Sequence, residues 1–425
     1  MDASVISRPV LVVWEHGGNL GHVARLLPIV DELLRRGQRV VLAVAQPSAV
    51  EPLFAHHTQV KVLQLPQVIV PLTFSNAAVC PADIWLRCGF ASPPHAKVCA
   101  MQWIALFEDL DPAVVLVDAS PMALYATYLA GIPCFAVGHG FELPPLMPGQ
   151  NFTPWESDIS ARTKYSELVL KSALIGLANA LMPEMPSAST RVTRLREATS
   201  VGALLELVPH ALCAWPELDH FDRDRNTGCF LGPIWNSLPH AQPLVWPDKP
   251  GAKVLCYIGL VDKSLDLLWQ ALQKFGANVV VLSPAGHDWA CEAARGWGIV
   301  VRQQPVLLES ILPGCDAVIG HGGMGFTSMA LHAGKPVMLL PTQLEQGLLA
   351  YQLCRRGLAI NITNCLNMAR VKTRVTQLLQ DAALSQRVKE ISMRYADFSP
   401  QHPVELIVNK LLGTITATLP NSSMG

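Results

Sequence analysis

Two residues in the first third of the sequence could together abstract a proton. His22 follows a glycine-rich turn after the apolar segment 9–14, and Asp118 ends the apolar segment 113–118. A neutral imidazole is a suitable general base, and a neighbouring carboxylate orients the ring and stabilises its charged form. Both residues stand at the carboxyl ends of predicted parallel strands, where α/β sheets bind their ligands. The sequence therefore predicts a His–Asp base pair, although either residue could instead serve only to cap a helix or a turn.

Three further residues are candidates for the surroundings of this base. His16 precedes the same turn, and His139 follows the predicted strand 133–138. Either histidine could compete as the base, but we rank both behind His22. Phe141 begins an aromatic, proline-rich stretch, 141–155, that suggests a hydrophobic pocket for an acceptor molecule.

A second constellation could bind an anion. His321, Gly322, Gly323, Met324 and Gly325 follow the predicted strand 316–320 and open a helix. Amides at a helix start lack partners and carry the positive end of the helix dipole, so a diphosphate fits there without a metal. Glycines let the backbone approach the ligand closely. The structural alternative is a tight strand–helix turn without a ligand.

Alternating strands and helices would position both sites. The first block has predicted strands at 9–14, 39–45, 113–118 and 133–138, and a helix that Gly37 closes. The second has predicted strands at 253–258, 278–283, 316–320 and 337–340, with helices at 265–275 and 345–356. Such alternation is typical of parallel sheets covered on both faces. We predict an amino-terminal domain (1–232), a proline-rich linker (233–252), a carboxyl-terminal domain (253–412) and a tail (413–425).

Composition narrows the function classes. The chain has 425 residues, 50% hydrophobic and 15% charged, with a formal net charge of −1, which argues against nucleic acid as a partner. The eleven cysteines are scattered and no secretory leader is apparent, so we expect a cytoplasmic protein. No apolar run is long enough to cross a bilayer. The helical segment 168–182 could lie on a membrane surface, although a half-buried helix is the favoured interpretation.

Other chemistries find little support. The sequence Asp222-Arg223-Asp224 looks like a metal-binding Asp-x-Asp, but no strand end fixes it, so a solvated turn is favoured. No G-x-S-x-G is present, which excludes a typical α/β-hydrolase. The predicted strand 39–45 lacks the terminal acid of a dinucleotide-binding dehydrogenase. We therefore expect no bound metal and no cofactor.

The run from His321 to Pro336, continued by Pro341, Glu345-Gln346 and Gly357, resembles the donor signature of family-1 glycosyltransferases. Gly21-His22-Val23, Arg36-Gly37 and Gly232-Pro233-Ile234 are also similar to that family. The resemblance is strong in residues 304–360 and weak in 50–110 and 140–230.

The resemblance implies a GT-B architecture, in which two Rossmann-like domains face each other across a cleft. It also implies inverting transfer without a metal, with His22 as the base and Asp118 as its partner. The amino-terminal domain would bind the acceptor and the carboxyl-terminal domain the nucleotide sugar. The family pattern assigns binding of the nucleotide-sugar donor to the stretch 304–306, which ends at Val306. It also assigns donor binding to Gly259, His321, Gly322, Gly323, Met324, Gly325, Phe326, Glu345 and Gln346.

The sequence departs from the family pattern at several of these positions. Phe326 stands where threonine is common, and Glu345 replaces the usual aspartate. The loop after Gly259 lacks the frequent serine or threonine. Met329 replaces a glutamate that clasps the ribose hydroxyls in the family. A thymidine diphosphate sugar would explain Met329, since related transferases without the glutamate, including rhamnosyltransferases of glycolipid synthesis, use such donors. A uridine donor held by other groups, or a lost activity, would also explain it.

We therefore expect a glycosyltransferase that moves a hexose or deoxyhexose from a UDP- or dTDP-sugar to a hydroxyl of a small-molecule or lipid-like acceptor. Peripheral membrane contact is compatible with such an acceptor. Two alternatives stay open: a non-catalytic nucleotide-sugar binder or auxiliary subunit, and a nucleotide-sugar epimerase on the same scaffold.

Overall fold

The computed structural model describes residues 8–16, 21–66, 77–185, 188–198, 200–226, 228–236, 241–258, 265–283, 292, 294–363 and 367–418. They form two compact units. The first unit contains the chain up to Pro216, Phe221–Gly232 and the segment from Gln401 onward. The second contains Glu217–His220 and Pro233–Pro400.

The first unit is built on a parallel sheet of six described strands. They are β1 (Val10–Trp14), β2 (Val40–Val44), β3 (Lys61–Gln64), β4 (Val114–Asp118), β5 (Cys134–Gly138) and β6 (His210–Leu212). Their order is β3-β2-β1-β4-β5-β6. β1, β2, β4 and β5 are buried at every position because helices cover both faces, which explains their nearly unbroken apolar sequences.

The helices of the first unit follow the order of the chain. They are α1 (Gly21–Arg35), α2 (Pro47–Val50), α3 (Pro81–Trp85), α4 (Pro93–Leu110), α5 (Pro121–Ala130), α6 (Ile159–Leu181), α7 (Ser189–Glu197) and α8 (Val201–Leu205), with short turns of helix at Glu51–Phe54, Leu86–Phe90 and Pro216–Leu218. The predicted end of α1 is confirmed. Gly37 takes a φ of +75° and its amide donates to the carbonyl of Leu34.

The second unit repeats the topology. Its strands are β7 (Lys253–Tyr257), β8 (Asn278–Leu282), β9 (Val300–Arg302), β10 (Ala317–Gly320), β11 (Val337–Leu339) and β12 (Ala359–Asn361), in the parallel order β12-β11-β10-β7-β8-β9. Its helices are α9 (Asp266–Phe275), α10 (Leu308–Ile311), α11 (Met324–His332), α12 (Leu344–Arg355), α13 (Met368–Gln380) and α14 (Ala382–Arg394), with a helical turn at Leu312–Gly314. Both sheets have the doubly wound strand order, so each has a switch point beside its first strand.

The predicted domain limits need correction at the carboxyl end. The last helix, α15 (Gln401–Thr418), belongs to the first unit and packs on α1, β4 and β5. Val404, Ile407, Val408 and Leu411 form an apolar stripe at helical spacing and are all buried. The second domain therefore ends near Pro400, not at 412, and the predicted tail from 413 begins inside this helix. Residues 419–425 lie outside the described part.

Two other limits also differ from the prediction. Glu217–His220 belong to the second unit, because Arg356, the residue after α12, donates to the carbonyls of Glu217 and Asp219. The described residues of the predicted linker 233–252 pack on the second unit as well. Trp246 Nε1 donates to the carbonyl of Ile311, for example. Among the described residues, no helix has both the length and the apolar character needed to cross a membrane.

Candidate active site

The first unit brings His22 and Asp118 together at its switch point. Trp14, at the end of β1, pairs in register with Asp118, at the end of β4, and His22 lies in the first turn of α1. His22 Nδ1 is 3.1 Å from Asp118 Oδ1. The imidazole also stacks on the Trp14 indole, with ring centroids 5.2 Å apart. The geometry suits a base whose Nε2 is presented to a substrate. The glycine-rich turn 17–20 lies outside the described residues.

Arg25 is a member of this site that the sequence interpretation missed. It lies one turn along α1 from His22, and its side chain is only 2% exposed. Its Nε donates to Asp118 Oδ2 at 3.1 Å, and its Nη2 donates to Asp118 Oδ1, which completes a two-point pair. Nη2 also lies 3.0 Å from His22 Nδ1, and Nη1 lies 2.8 Å from His139 Nε2. One guanidinium therefore touches the carboxylate and both nearby histidines.

Glu142 is the second member that was missed. Its Oε2 accepts the backbone amide of His139 at 2.7 Å. Its Oε1 lies 3.6 Å from Arg25 Nη2 and 3.9 Å from His22 Nε2. The site thus contains two carboxylates and one guanidinium around His22. A heptad or strand pattern cannot reveal such charges, because isolated Arg and Glu residues usually face solvent.

These charges set the protonation states. Burial lowers the pKa of His22, but the charge and hydrogen bond of Asp118, helped by Glu142, outweigh burial and Arg25, so the pKa of His22 is raised. Burial raises the pKa of Asp118, yet Arg25 and His22 outweigh it, so the pKa of Asp118 is lowered. Asp118 is therefore a carboxylate at neutral pH. It is in a position to stabilise the imidazolium that forms when His22 takes a proton.

The turn that carries Asp118 is held from both sides. Ala119 has a left-handed φ of +45°, and its carbonyl accepts the amide of His16 at 3.1 Å. Ser120 Oγ accepts the amide of Glu15 and donates to the carbonyl of Asp118. Non-glycine residues in this conformation cost about 1 kcal/mol and concentrate at functional sites. The strained turn fixes the direction of the Asp118 side chain.

Glu15 anchors the neighbouring helix. Its carboxylate accepts the amides of Met122 and Ala123 at 3.0 Å each, at the start of α5. Burial nevertheless raises the pKa of Glu15 to about 7, because it outweighs the two amide hydrogen bonds that lower it.

The three candidate acceptor residues have different surroundings. His139 belongs to the charged site through Arg25. The His16 side chain is exposed, and His16 contributes its backbone to the Ala119 turn. Phe141 stacks on the buried ring of Phe152, with centroids 4.4 Å apart. Phe141 therefore lies against an aromatic cluster of the first unit.

In the second unit, the predicted anion site is a helix start without a side-chain cap. β10 ends at Gly320 and α11 begins at Met324. Gly323 is the N-cap and offers no side chain to the helix amides. The first hydrogen bond within the helix runs from Thr327 to Gly323, so the amides of Met324, Gly325 and Phe326 have no partner within the helix.

Glycine and histidine shape the approach to this helix start. Gly322 has a φ of +95°, and a Cβ there would come within 3.4 Å of the Gln346 carbonyl. A Cβ at Gly323 or Gly325 would meet nothing within 4 Å, so the space beside them is open. His321 Nδ1 donates to the carbonyl of Leu340 at 2.8 Å, which directs Nε2 away from β11.

Several side chains of this motif are buried. Phe326 is buried and stacks on Tyr257, with centroids 5.1 Å apart. Met324 and Met329 are buried as well. Met324 and Phe326 therefore suit the predicted binding of the nucleotide sugar through their backbone amides and not through their side chains. The bulk of Phe326 fits because its neighbour on β10, Gly320, has no side chain.

Glu345 and Gln346 lie in the first turn of α12. Gln346 Oε1 accepts both the amide and the hydroxyl of Thr342, at 3.0 and 3.1 Å. Glu345 Oε1 lies 3.8 Å from Nε2 of the fully buried His220. Gly259 lies outside the described residues. Val306 is half-buried and forms an isolated bridge to Gln242.

Sequence comparisons find similarity to known proteins over part of the chain. A family model, the C-terminal domain of erythromycin biosynthesis protein CIII-like proteins, matches residues 267–412. An uncharacterized protein of Mycobacterium bovis, Mb1553c, is 29% identical over 168 residues, which are 38% of this chain. The chain spans 38% of the length of that relative.

Solved structures match over nearly the whole chain. The calicheamicin glycosyltransferase CalG4 is 18% identical, with a TM-score of 0.66 over 97% of this chain and 100% of its own. The spinosyn rhamnosyltransferase SpnG, complexed with thymidine diphosphate, is 16% identical, with a TM-score of 0.58 over 95% of this chain and 99% of its own. The chain therefore has the GT-B fold. Its residues 267–412 are similar to the C-terminal domain of erythromycin biosynthesis protein CIII-like proteins, in agreement with the resemblance to family-1 glycosyltransferases.

Proposed function

We propose that this chain is an inverting, metal-independent glycosyltransferase that moves a hexose or deoxyhexose from a nucleoside diphosphate sugar to a hydroxyl of a small or lipid-like acceptor. The observation that carries the proposal is the His22–Asp118 pair, 3.1 Å apart at the switch point of the first sheet. A second unit with an uncapped helix start and the matched C-terminal domain supports a nucleotide-sugar donor.

The reaction follows from the placement of the base. With its Nδ1 proton directed at Asp118, His22 presents the lone pair of Nε2 to the acceptor hydroxyl. The hydroxyl oxygen attacks the anomeric carbon, its proton passes to Nε2, and the bond between that carbon and the phosphate oxygen breaks. One displacement inverts the configuration, and the nucleoside diphosphate leaves with the bonding electrons. The amides at the start of α11 would stabilise the negative charge that develops on the phosphate.

The charges at the site support a reaction without a metal. His22, Asp118 and Glu142 place ligand atoms within 4.8 Å of one another, an arrangement that could hold a cation. Arg25 Nη2, however, already contacts Asp118 Oδ1 and lies 3.6 Å from Glu142 Oε1. The guanidinium therefore supplies the positive charge that a metal would otherwise bring.

We further propose a thymidine diphosphate sugar as the preferred donor, in the cytoplasm. The Met329 side chain cannot accept a hydrogen bond from a ribose hydroxyl. A nucleotide sugar without the 2′-hydroxyl loses no hydrogen bond at this position, so its affinity suffers least. Thymidine diphosphate is the ligand in the SpnG complex. The described cysteines are free, as a reducing compartment requires.

The first test is thermal stabilisation by uridine, thymidine and guanosine diphosphate sugars with a chelator present. A ligand of the folded state at a hundredfold excess over its Kd adds about 2.7 kcal/mol to the free energy of unfolding. We expect a selective shift with a thymidine donor. Mass spectrometry with acceptor panels then separates the alternatives. Donor binding without turnover would indicate an auxiliary binder, and a new nucleotide sugar without an acceptor would indicate an epimerase.

A further inference from the structure

Arg25 determines the tautomer of His139. Its Nη1 lies 2.8 Å from His139 Nε2, and a guanidinium can only donate hydrogen bonds. His139 Nε2 must therefore be the acceptor, with the ring proton on Nδ1, which lies 3.7 Å from Glu142 Oε2. The lone pair that a base would need is therefore engaged by Arg25.

His22 has the opposite relation to the same guanidinium. Its Nδ1 lies between an obligatory acceptor, Asp118 Oδ1 at 3.1 Å, and an obligatory donor, Arg25 Nη2 at 3.0 Å. Arg25 directs Nε and Nη2 at the two oxygens of Asp118. Because Nη2 already donates to Asp118 Oδ1, we assign the Nη2 proton to that oxygen and not to His22 Nδ1. Asp118 is thereby held as a carboxylate that accepts the Nδ1 proton of His22, and the lone pair of that tautomer lies on Nε2.

We propose that Arg25 is a positioning residue that selects His22 over His139 as the base of this site. The guanidinium occupies the lone pair of His139 and holds Asp118 so that the lone pair of His22 lies on Nε2. This inference rests on the proposed transferase function for its kinetic consequence, but the two tautomers can be measured without turnover.

Other groups near the two histidines do not reproduce this selection. Glu142 faces both rings, at 3.9 Å from His22 Nε2 and 3.7 Å from His139 Nδ1. His16 interacts with His22 through charge. The buried thiol of Cys213 senses the charge of Arg25, and burial raises its pKa to about 12, so it stays neutral. Arg25 lies within hydrogen-bond distance of both rings, at Nε2 of His139 and at Nδ1 of His22.

The decisive measurement is nitrogen-15 NMR of the histidine rings in the wild-type chain near neutral pH. Signals are assigned with His22→Gln and His139→Gln. We expect His139 as the Nδ1–H tautomer, and neutral His22 also as the Nδ1–H tautomer with its proton in a hydrogen bond. An Nε2–H tautomer or a permanent imidazolium at His139 of the wild-type chain would overturn the proposal.

Variants then test the selection itself. In Arg25→Met, we expect His139 to become a mixture of tautomers and kcat to fall at least tenfold, with the donor KM within about twofold. Arg25→Lys, which keeps the charge and can still donate to His139, should retain the tautomer and recover part of kcat. Arg8→Gln removes an exposed arginine of the same unit, paired with Asp111, and is the matched control.

The outcomes separate the two proposals. A folded Arg25→Met chain with an unchanged His139 tautomer and unchanged kcat contradicts the role of Arg25. A wild-type chain without transfer to any acceptor, but with the expected tautomers, contradicts the transferase function and leaves the assignment of Arg25 standing.

Discussion

Substituting Gly323 by aspartate tests the donor site without disturbing the fold. Gly323 is the N-cap of α11, with φ −62° and ψ 136°, a conformation that any residue adopts. A Cβ there meets no atom within 4 Å. An N-cap aspartate accepts hydrogen bonds from the second or third helical amide, here Gly325 or Phe326. The new carboxylate would thus occupy the amides that we assign to the diphosphate.

The expected loss of affinity follows from two terms. A hydrogen bond to a charged group contributes about 1.5–3 kcal/mol, so its replacement costs roughly 10- to 150-fold in donor affinity. A carboxylate about 4 Å from a phosphate charge adds repulsion of about 1 kcal/mol in water and about 4 kcal/mol at an effective dielectric constant of 20. The same substitution should stabilise the empty protein relative to alanine by about 1 kcal/mol, because it caps the helix.

Two control variants separate the repulsion of the phosphate by the new charge from the occupation of the helix amides by the new side chain. Gly323→Asn caps the helix equally well without a charge, and Gly323→Ala adds only a methyl group. Calorimetry with thymidine diphosphate should rank affinity in the order Ala, Asn, Asp, with the aspartate variant at least tenfold weaker than the asparagine variant. The melting temperature of the ligand-free aspartate variant should equal or exceed that of the alanine variant. If the aspartate variant binds within threefold of wild type, α11 is not the phosphate site.

Three further substitutions test separate parts of the reasoning. His22→Gln should lower kcat/KM about 10²- to 10⁴-fold with donor affinity unchanged. The same change at His57, which pairs with Asp31 at 2.7 Å, is the control and should leave turnover intact. A fully active His22→Gln chain would refute the assignment of His22 as the base. Met329→Glu should raise kcat/KM for uridine relative to thymidine donors about tenfold, since a carboxylate can accept from the 2′-hydroxyl, and an unchanged ratio would show that Met329 does not contact the sugar of the nucleoside. The Glu15 pKa of about 7 lies above the unfolded value of 4.5, so its stabilising effect is complete below pH 4.5 and is lost as the pH rises through 7, by at most about 3 kcal/mol. Glu15→Gln should remove that part of the decline in melting temperature between pH 5 and 8, and parallel curves would contradict the assignment.

Central strands were predictable because burial on both faces leaves an unbroken apolar run. β1, β2, β4 and β5 lie within two residues of their predicted limits, and so do β7, β8, β10 and β11. β3, β6, β9 and β12 were not predicted. They have three or four residues each, and β3 is exposed or half-buried throughout, so no apolar run marks them.

The glycine-rich helix start was predictable for a related reason. Gly322 has a positive φ that the backbone requires there, and this requirement makes the turn visible in the sequence. The partner of α15 was not visible. An apolar stripe identifies a helix with a buried face, but it does not say which of two sheets the helix covers.

Arg25 and Glu142 were missed because their role depends on the balance of buried charge, which no local pattern contains. With both histidines neutral, Asp118, Glu142 and Arg25 sum to one negative charge in a nearly water-free site. A buried net charge is unfavourable, so the cluster favours the uptake of one proton. The raised pKa of His22 follows from this balance. A proton taken from an acceptor hydroxyl would make the cluster neutral. The net negative charge of Asp118, Glu142 and Arg25 therefore favours proton transfer to His22, which is what a base at this position requires.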